Sequence, residues 1–334
     1  MTVYRTLGHL LLLCGLMASS AVTAQELQRP GPADRSTRIE TQILLLDLDE
    51  ISGAGQQFTA SLVLSYRWHD TRLAGKWTES TLVPLSEVWH PGLLIVNQKF
   101  ALSGLDNVVS VDPDGGVNYI QRLWGNFSQR MYLREFPMDS HDLEVTVVTT
   151  RFEVGELEFT EYEGSPSGLS DNLSITDWKI NSFSAEAFEY QPTTNTPPIP
   201  AFRLRFSVTR EADYYLLKMV LPLMLIVGMS WLVFWIEPTE GGTQISVAVT
   251  SMLTLVAYQF LVSDLLPPVS YMTRLDGFIL AATLIVFALL IEVIVTARLA
   301  ATNRLNLARR IDIVCRMAFP IAFVILLGIG FVFD

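Results

Sequence analysis

The stretch EGGTQISVAVTSMLTLVAYQFLVSD, from Glu240 to Asp264, decides how the rest of the chain can be organised. It is apolar and long enough to cross a bilayer, for which about 20 residues are needed. At helical spacing one stripe of this segment carries hydroxyl groups near its start and large apolar side chains further along. The members of that stripe are Ser246, Thr250, Leu253, Ala257 and Phe260.

Two interpretations fit such a stripe. A helix lining a water-filled path turns its polar groups toward water or ions, whereas an ordinary packing helix can hold Ser and Thr hydroxyls bonded back to its own backbone. The stripe alone does not decide between them. The segment contains no Lys or Arg, and the acids Glu240 and Asp264 stand at its two ends. Our hypothesis is that copies of this helix around an axis form a cation pore, with both acids as charge rings.

Composition divides the chain into an exported half and a membrane half. The chain has 334 residues, 50% of them hydrophobic, and a formal net charge of −11. Apolar residues concentrate after Tyr214, whereas the middle of the chain alternates polar and apolar residues. The acidic balance argues against a nucleic-acid partner, because a polyanion would be repelled. Residues 1–24 have the layout of a secretory signal peptide, with a retained N-terminal anchor as the alternative.

Nothing in the residue pattern indicates an enzyme, a metal site or a cofactor. Of the two cysteines, Cys14 lies in the predicted signal peptide and Cys315 stands in an apolar run, so the mature chain has no internal disulfide. His69, His90 and His141 show no metal-ligand spacing. No nucleophile–base pair or phosphate-binding loop is visible, so no catalytic residue is assigned.

Residues 25–210 predict an all-β domain. Short segments rich in β-branched and aromatic residues, such as QQFTASLVLSYRW and DLEVTVVTT, alternate with Gly/Pro/Asp turn signals. Roughly ten such segments without a long amphipathic helix favour an immunoglobulin-like β-sandwich with two sheets.

Residues 211–334 predict a bundle of four transmembrane helices, because four apolar runs follow one another there. The arginines between the third and fourth runs mark the cytoplasmic side, which puts the sandwich and the C-terminus on the exported side. These arginines are Arg298, Arg304, Arg309 and Arg310. The predicted helices span about 214–235, 241–264, 275–298 and 312–333.

Four segments in order resemble the pentameric ligand-gated ion channels. Trp68 to Leu73 is similar to their W-x-D-x-R-L segment, and Trp89-His90-Pro91 with Asn97 to their W-x-P…N segment. Arg134 to Leu143 resembles the F-P-x-D-x-x-x-L loop at the base of their extracellular domain, without the flanking cysteines, as in bacterial members. Arg210, Tyr214-Tyr215 and Pro222 resemble the start of their first membrane helix.

The resemblance implies a bacterial homopentamer in the inner membrane with its sandwich in the periplasm. It would conduct inorganic cations passively through a pore lined by the second helix, where rings of Leu253 and Phe260 could close the path by dewetting. Whether Glu240 faces the pore stays open, because Gly241-Gly242 loosens the start of the helix. A different class of protein, a membrane-tethered periplasmic sensor without conduction, is the alternative, and it would not need the stripe.

The resemblance also implies a route from stimulus to pore. Asp139 and Arg210 would pair at the membrane boundary and, with Pro137 and Pro268, carry movement from the sandwich to the helices; the alternative is that the pair only holds the loop in place. The ligand position falls near Arg151, Phe152, Phe188 and Tyr190, which are equally compatible with ordinary sandwich packing. The agonist is an unidentified small molecule or protons, and His141 in the loop could make gating sensitive to pH.

Overall fold

The structure, a computed structural model, describes residues 28–32, 34–263 and 269–331. Its described residues form two compact units. The first takes in the chain up to Arg130 together with Asp142–Thr176 and Ile180–Val208. The second takes in Met131–His141, Asp177–Lys179 and the chain from Thr209 onward. The predicted signal peptide, residues 1–24, lies outside the described residues.

The described part of the chain contains twelve strands in two sheets, which confirms the predicted β-sandwich. Their bounds are β1 Thr37–Ser52, β2 Gln57–His69, β3 Thr81–Pro84, β4 Leu93–Ile95, β5 Gln98–Ser103, β6 Val108–Val111, β7 Gly116–Ser128, β8 Ser140–Thr149, β9 Leu157–Glu161, β10 Gly168–Leu169, β11 Trp178–Tyr190 and β12 Ile199–Arg210. The first sheet has the order β10-β1-β2-β7-β6-β3, with β9 also on β1 and β5 also on β7. The second has the order β11-β12-β8-β4.

Alternating side chains from both sheets build the sandwich core. Strand β2 pairs antiparallel with β7 from Gln57↔Ser128 to His69↔Gly116, so its alternate residues point to one common face. On that face Phe58 stacks on Phe127 at 5.3 Å between ring centroids and meets Phe206 of the second sheet edge to face at 5.7 Å. Such aromatic pairs fix how the two sheets lie against one another.

Two of the family-like segments serve this core. Trp68 and Trp89 are buried and pack edge to face at 5.9 Å. Buried Asp70 accepts hydrogen bonds from Arg72 Nε at 2.8 Å and from the Arg72 backbone N–H at 3.1 Å. The acid therefore closes the turn after β2, because a buried carboxylate requires such donors.

Among the described residues, four helices are long and apolar enough to cross a membrane. They are α1 Asp213–Trp235, α2 Gly241–Ser263, α3 Arg274–Ala301 and α4 Leu305–Phe331. Helix α1 contains a π-helical turn, Leu216–Val220, which ends two residues before Pro222. That turn fits the proline, which has no N–H and disturbs regular α-helical bonding. Helix α3 starts with a capping box, in which Thr273 and Asp276 exchange side-chain to backbone hydrogen bonds.

The fourth helix begins before the predicted membrane span. Helix α4 begins at Leu305, not at about 312, so Arg309 and Arg310 lie within the helix and only Thr302 to Arg304 separate α3 from α4. An apolar run identifies only the uncharged part of a helix, so the predicted span started after Arg309 and Arg310. This segment forms an earlier helical turn because Leu, Ala and Arg are strong helix formers, with Ala308 buried and both arginines exposed.

Candidate ion pathway and coupling site

Helix α2 presents the predicted stripe on its surface. Ser246, Thr250, Leu253, Ala257 and Phe260 are all exposed in the single chain. The exposed fractions of the Leu253 and Phe260 side chains, 65% and 73%, are large for apolar groups. The exposed surface extends beyond the stripe, to Val249 and Leu261. The opposite face is buried and holds Gln244, Ala248, Ser251, Leu255 and Val262.

The buried face of α2 is fixed to its neighbours by polar contacts as well as packing. Tyr258 donates from its hydroxyl to the Met219 carbonyl of α1 at 2.6 Å. Gln259 bonds the Thr283 hydroxyl of α3, and the Gln244 amide donates to the Ile236 carbonyl at 2.9 Å. Because these bonds lie away from the stripe, they set the rotation of α2 about its axis and leave the stripe uncovered.

The hydroxyls of α2 do bond back to the backbone, as the packing-helix interpretation requires. Thr250 donates to the Ser246 carbonyl, and Thr254 donates to the Thr250 carbonyl, each at 2.8 Å. A donating hydroxyl keeps its acceptor lone pairs, so exposed Thr250 can still present an oxygen to a cation. Thr250 is therefore exposed even though its hydroxyl donates to the backbone of its own helix.

The described residues include only one of the two acids that were predicted to form charge rings. Glu240 is exposed and ends a short 3₁₀ turn, Pro238–Glu240, immediately before α2. Asp264 and Pro268 lie outside the described residues. Of the acids proposed at the two ends of α2, Glu240 is thus the one with a defined position.

The structure brings Asp139 and Arg210 together in the second unit. Arg210 Nε donates to Asp139 Oδ1 at 2.7 Å and Nη2 donates to Oδ2 at 3.1 Å, with both side chains buried. His141 Nε2 lies 2.6 Å from the same Oδ2. Burial alone would raise the pKa of Asp139, but hydrogen bonds from His141 and Arg210 and their positive charge outweigh it and lower the pKa to about 2.

Aromatic rings enclose the Arg210 guanidinium. Its central carbon lies 4.1 Å from the Trp178 ring centroid, 5.0 Å from that of Phe136 and 5.6 Å from that of Tyr215. A cation over ring faces gains from the ring quadrupole, and more so when it is desolvated. Trp178 was not predicted from the sequence, because this first residue of the long β11 belongs to no motif that points to Arg210.

The loop that carries Asp139 belongs to the packed core of the helices. Phe136 is buried among residues of α1 and α3 and meets the Tyr215 ring edge to face at 4.9 Å. The Leu133 N–H donates to the Tyr271 hydroxyl at 2.8 Å, and the Arg274 N–H donates to the Arg134 carbonyl at 2.9 Å. Pro137, also buried, follows a cis peptide bond. The loop is therefore joined both to Arg210 and to the start of α3.

The residues predicted for the ligand position fall in two places within the first unit. Phe188 lies against Arg203, whose guanidinium carbon is 4.4 Å from the ring centroid, and Tyr190 is 6.4 Å from Phe188. Phe188 also lines a cavity of about 330 Å³ with Phe159 and Pro200. Phe152 instead packs on Trp89 at 5.6 Å. The neighbouring Arg151 lies beside His90 and Gly92; burial, followed by the charge of Arg151, lowers the pKa of His90.

Comparison with known proteins accounts for nearly the whole described chain. Residues 21–212 match the neurotransmitter-gated ion-channel ligand binding domain, and residues 219–304 match the neurotransmitter-gated ion-channel transmembrane region. A proton-gated ion channel of Gloeobacter violaceus is 26% identical over 317 residues, covering 93% of this chain and 87% of that protein. A gamma-aminobutyric acid receptor subunit beta of Caenorhabditis elegans is 25% identical over 279 residues, covering 79% of this chain and 50% of that protein. These matches confirm the predicted family: the chain belongs to the neurotransmitter-gated, or pentameric ligand-gated, ion channels.

Proposed function

We propose that this protein is a homopentameric, cation-selective channel in which α2 lines the pore and a stimulus at the β-sandwich opens it. The observation that carries the proposal is the exposed stripe of α2. A helix whose only neighbours were its own bundle and lipid would have no reason to expose Ser246 and Thr250 in line with Leu253 and Phe260. Five such helices around an axis would give all of these residues water or one another as neighbours.

Cation preference rests on charge. Helix α2 has no Lys or Arg, exposed Glu240 precedes it, and Asp264 follows it in the sequence. Acidic rings at pore mouths concentrate cations and repel anions. Hydroxyl oxygens at Ser246 and Thr250 would replace part of the hydration shell of a passing cation.

Orientation follows from the exposed arginines around the α3–α4 connection. Arg298, Arg304, Arg309 and Arg310 are all exposed, and positive charge in short connections marks the cytoplasmic side. The sandwich is then on the exported side, in the periplasm of a bacterial inner membrane. The stimulus would be a small molecule near Phe188, or protons, as the name of the Gloeobacter relative suggests.

The direct test is recording from the purified protein in planar bilayers with different salt concentrations on the two sides, while pH and candidate small molecules are varied. A cation channel gives a reversal potential near the cation equilibrium potential. Absence of stimulus-dependent current under all conditions would favour the non-conducting sensor instead.

A charge variant tests selectivity separately from conduction. Glu240→Gln removes the acid with a defined position at the start of α2, and we expect the reversal potential to move toward zero with current retained. Glu163→Gln, at an exposed site of the sandwich, is the matched control and should leave it unchanged. An unchanged reversal potential in both variants would show that Glu240 does not face the ion path.

A further inference from the structure

A polar cluster lies inside the helical bundle, where α2, α3 and α4 meet. Glu292 of α3 and Asp312 of α4 interact directly through their carboxyl groups, and the Gln244 side chain of α2 contacts Asp312. Gln244 is fully buried and Asp312 is 3% exposed. Intramembrane acids in such positions are expensive and usually have a function, and the ion pathway described above makes no use of these.

The cluster has fewer hydrogen-bond donors than acceptors. Both carboxyl oxygens of Glu292, Oδ1 of Asp312 and Oε1 of Gln244 are buried without a hydrogen-bond partner. All four atoms are acceptors. The Gln244 amide nitrogen donates to the Ile236 carbonyl. A buried acceptor without a donor costs free energy, and two carboxylates facing one another cannot supply a donor.

Charges around the pair leave one of the two acids uncompensated. On α4, Arg316 attracts Asp312, donates to the Phe234 carbonyl at 2.8 Å and lies over the Trp235 ring. Cys315 on α4 lies within the electrostatic influence of both acids. Glu237, before α2, adds negative charge near Asp312, but it is bonded to Arg309 at 2.9 Å. If both acids were ionised, Arg316 could balance only one.

We propose that Glu292 and Asp312 bind one proton between them, which makes this point of the bundle a proton site separate from the stripe of α2. A proton taken from water forms an O–H bond on one carboxyl, and that O–H donates to the other carboxylate. One negative charge is thereby removed and one acceptor becomes a donor. Two interacting buried carboxyls behave in this way because ionising both together is strongly unfavourable. A metal cation fits less well, since Arg316 already occupies one side.

The site connects α2, α3 and α4, so binding of the proton stabilises the packing of these three helices. Losing it leaves two like charges in a low-dielectric setting, which pushes α3 and α4 apart and frees Gln244 on the buried face of α2. Glu292 precedes Arg298 by less than two helical turns, which puts the site near the arginine-rich end of the bundle. The proposal does not depend on conduction.

Infrared difference spectroscopy of the purified protein in lipid tests the proton directly. A protonated carboxyl has a C=O stretch that an ionised one lacks. We expect such a band at neutral pH that disappears on alkalinisation, and that is absent from Glu292→Gln and from Asp312→Asn over the same range from neutral to alkaline pH. Either amide donates a hydrogen bond to the remaining carboxylate, so both variants keep the packing. Glu163→Gln is the control and should keep the band.

Two outcomes would overturn the proposal. The first is a spectrum in which the wild type has no protonated-carboxyl band, or in which the band survives both substitutions. The second is the absence of the band in dilute buffer, combined with a rise in the apparent Tm of the wild type on addition of Na⁺, K⁺ or Ca²⁺. If the variant that combines Glu292→Gln with Asp312→Asn shows no such rise, the site binds a metal ion. If neither single variant folds, Glu292→Asp, which keeps both carboxyl groups, should shift the frequency of the band, and an unshifted band would overturn the proposal.

Discussion

Asp139 and Arg210 illustrate how a single residue's surroundings set its importance. Both side chains are buried, two hydrogen bonds join them and Trp178 covers the guanidinium. Removing one partner of a buried pair leaves the other charge uncompensated, which costs about 3–5 kcal/mol. Arg203, on the same strand β12, pairs with exposed Glu186 at 2.5 Å, and exposed pairs contribute little because water screens them.

We therefore expect Asp139→Asn to lower the apparent Tm of the solubilised protein by several degrees and to abolish stimulus-dependent current. Arg205→Gln, on the same strand β12, is the matched control and should change neither, because its pairing with Glu144 at 3.6 Å is partly exposed to water. Combining Asp139→Asn with Arg210→Gln should be less harmful to stability than the sum of the two single changes, because the double variant leaves no lone buried charge. Normal currents from Asp139→Asn with a lowered Tm would limit the pair to a structural role.

The depressed pKa of Asp139 also predicts the direction of acid sensitivity. A carboxyl whose folded-state pKa is about 2, below its ordinary value of 3.8, stabilises the fold above about pH 4. That contribution, about 2 kcal/mol from the size of the shift, is lost as the pH falls from about 4 to 2. Thermal unfolding across this range should show a steeper loss of stability in the wild type than in Asp139→Asn. Parallel curves would contradict the assignment.

His141 is a second side chain that holds the Asp139 carboxylate. Its Nε2 lies 2.6 Å from Asp139 Oδ2, the oxygen that also accepts a hydrogen bond from Arg210 Nη2. Removing the imidazole leaves this buried oxygen with Arg210 alone, so we expect His141→Ala to lower the apparent Tm and to weaken stimulus-dependent current. His69→Ala, at an exposed position, is the control, and equal changes in both variants would exclude a specific role for His141.

At the scale of the element, the sequence predicted α2 best because its pattern is local. Helical spacing placed Ser246 to Phe260 on one stripe, and the structure exposes all of its members. The position of Phe152 was not predictable in the same way, because its contact with Trp89 depends on the packing of distant segments. The cluster of Gln244, Glu292 and Asp312 was not predicted either. Its members lie far apart in the sequence, and no spacing pattern connects them.

Leu253 lies in the middle of the exposed stripe of α2, so a hydrophobic gate can be tested at this residue. If Leu253 rings close the path by dewetting, Leu253→Ala widens and wets the constriction. We expect a larger resting current and activation by a weaker stimulus. Leu284→Ala on α3, a similarly exposed leucine, should behave as the wild type. Unchanged leak and dose dependence in Leu253→Ala would move the gate elsewhere along α2.

At the scale of the whole molecule, the apolar surface of the helices exceeds what one chain can cover. Exposed apolar side chains occur on α3 and α4 as well as on α2, for example Leu284, Phe287, Ile313 and Val324. On α3 and α4 they suit lipid. The α2 surface differs because hydroxyls accompany its apolar groups, and lipid offers hydroxyls no partner. The ring of identical chains proposed above would solve both problems, since α2 would face an axis while other helices face the bilayer.

The proposed arrangement predicts which positions react with a water-soluble thiol reagent. In a Cys315→Ser background, which removes the free cysteine of the described chain, Leu253→Cys should be modified by a charged methanethiosulfonate reagent, and modification should block the current. Leu284→Cys, which is equally exposed in the single chain but expected to face lipid, should resist modification. Native mass spectrometry should give the mass of five chains for both variants. A different copy number, or equal labelling at the two positions, would mean that α2 does not surround an aqueous axis.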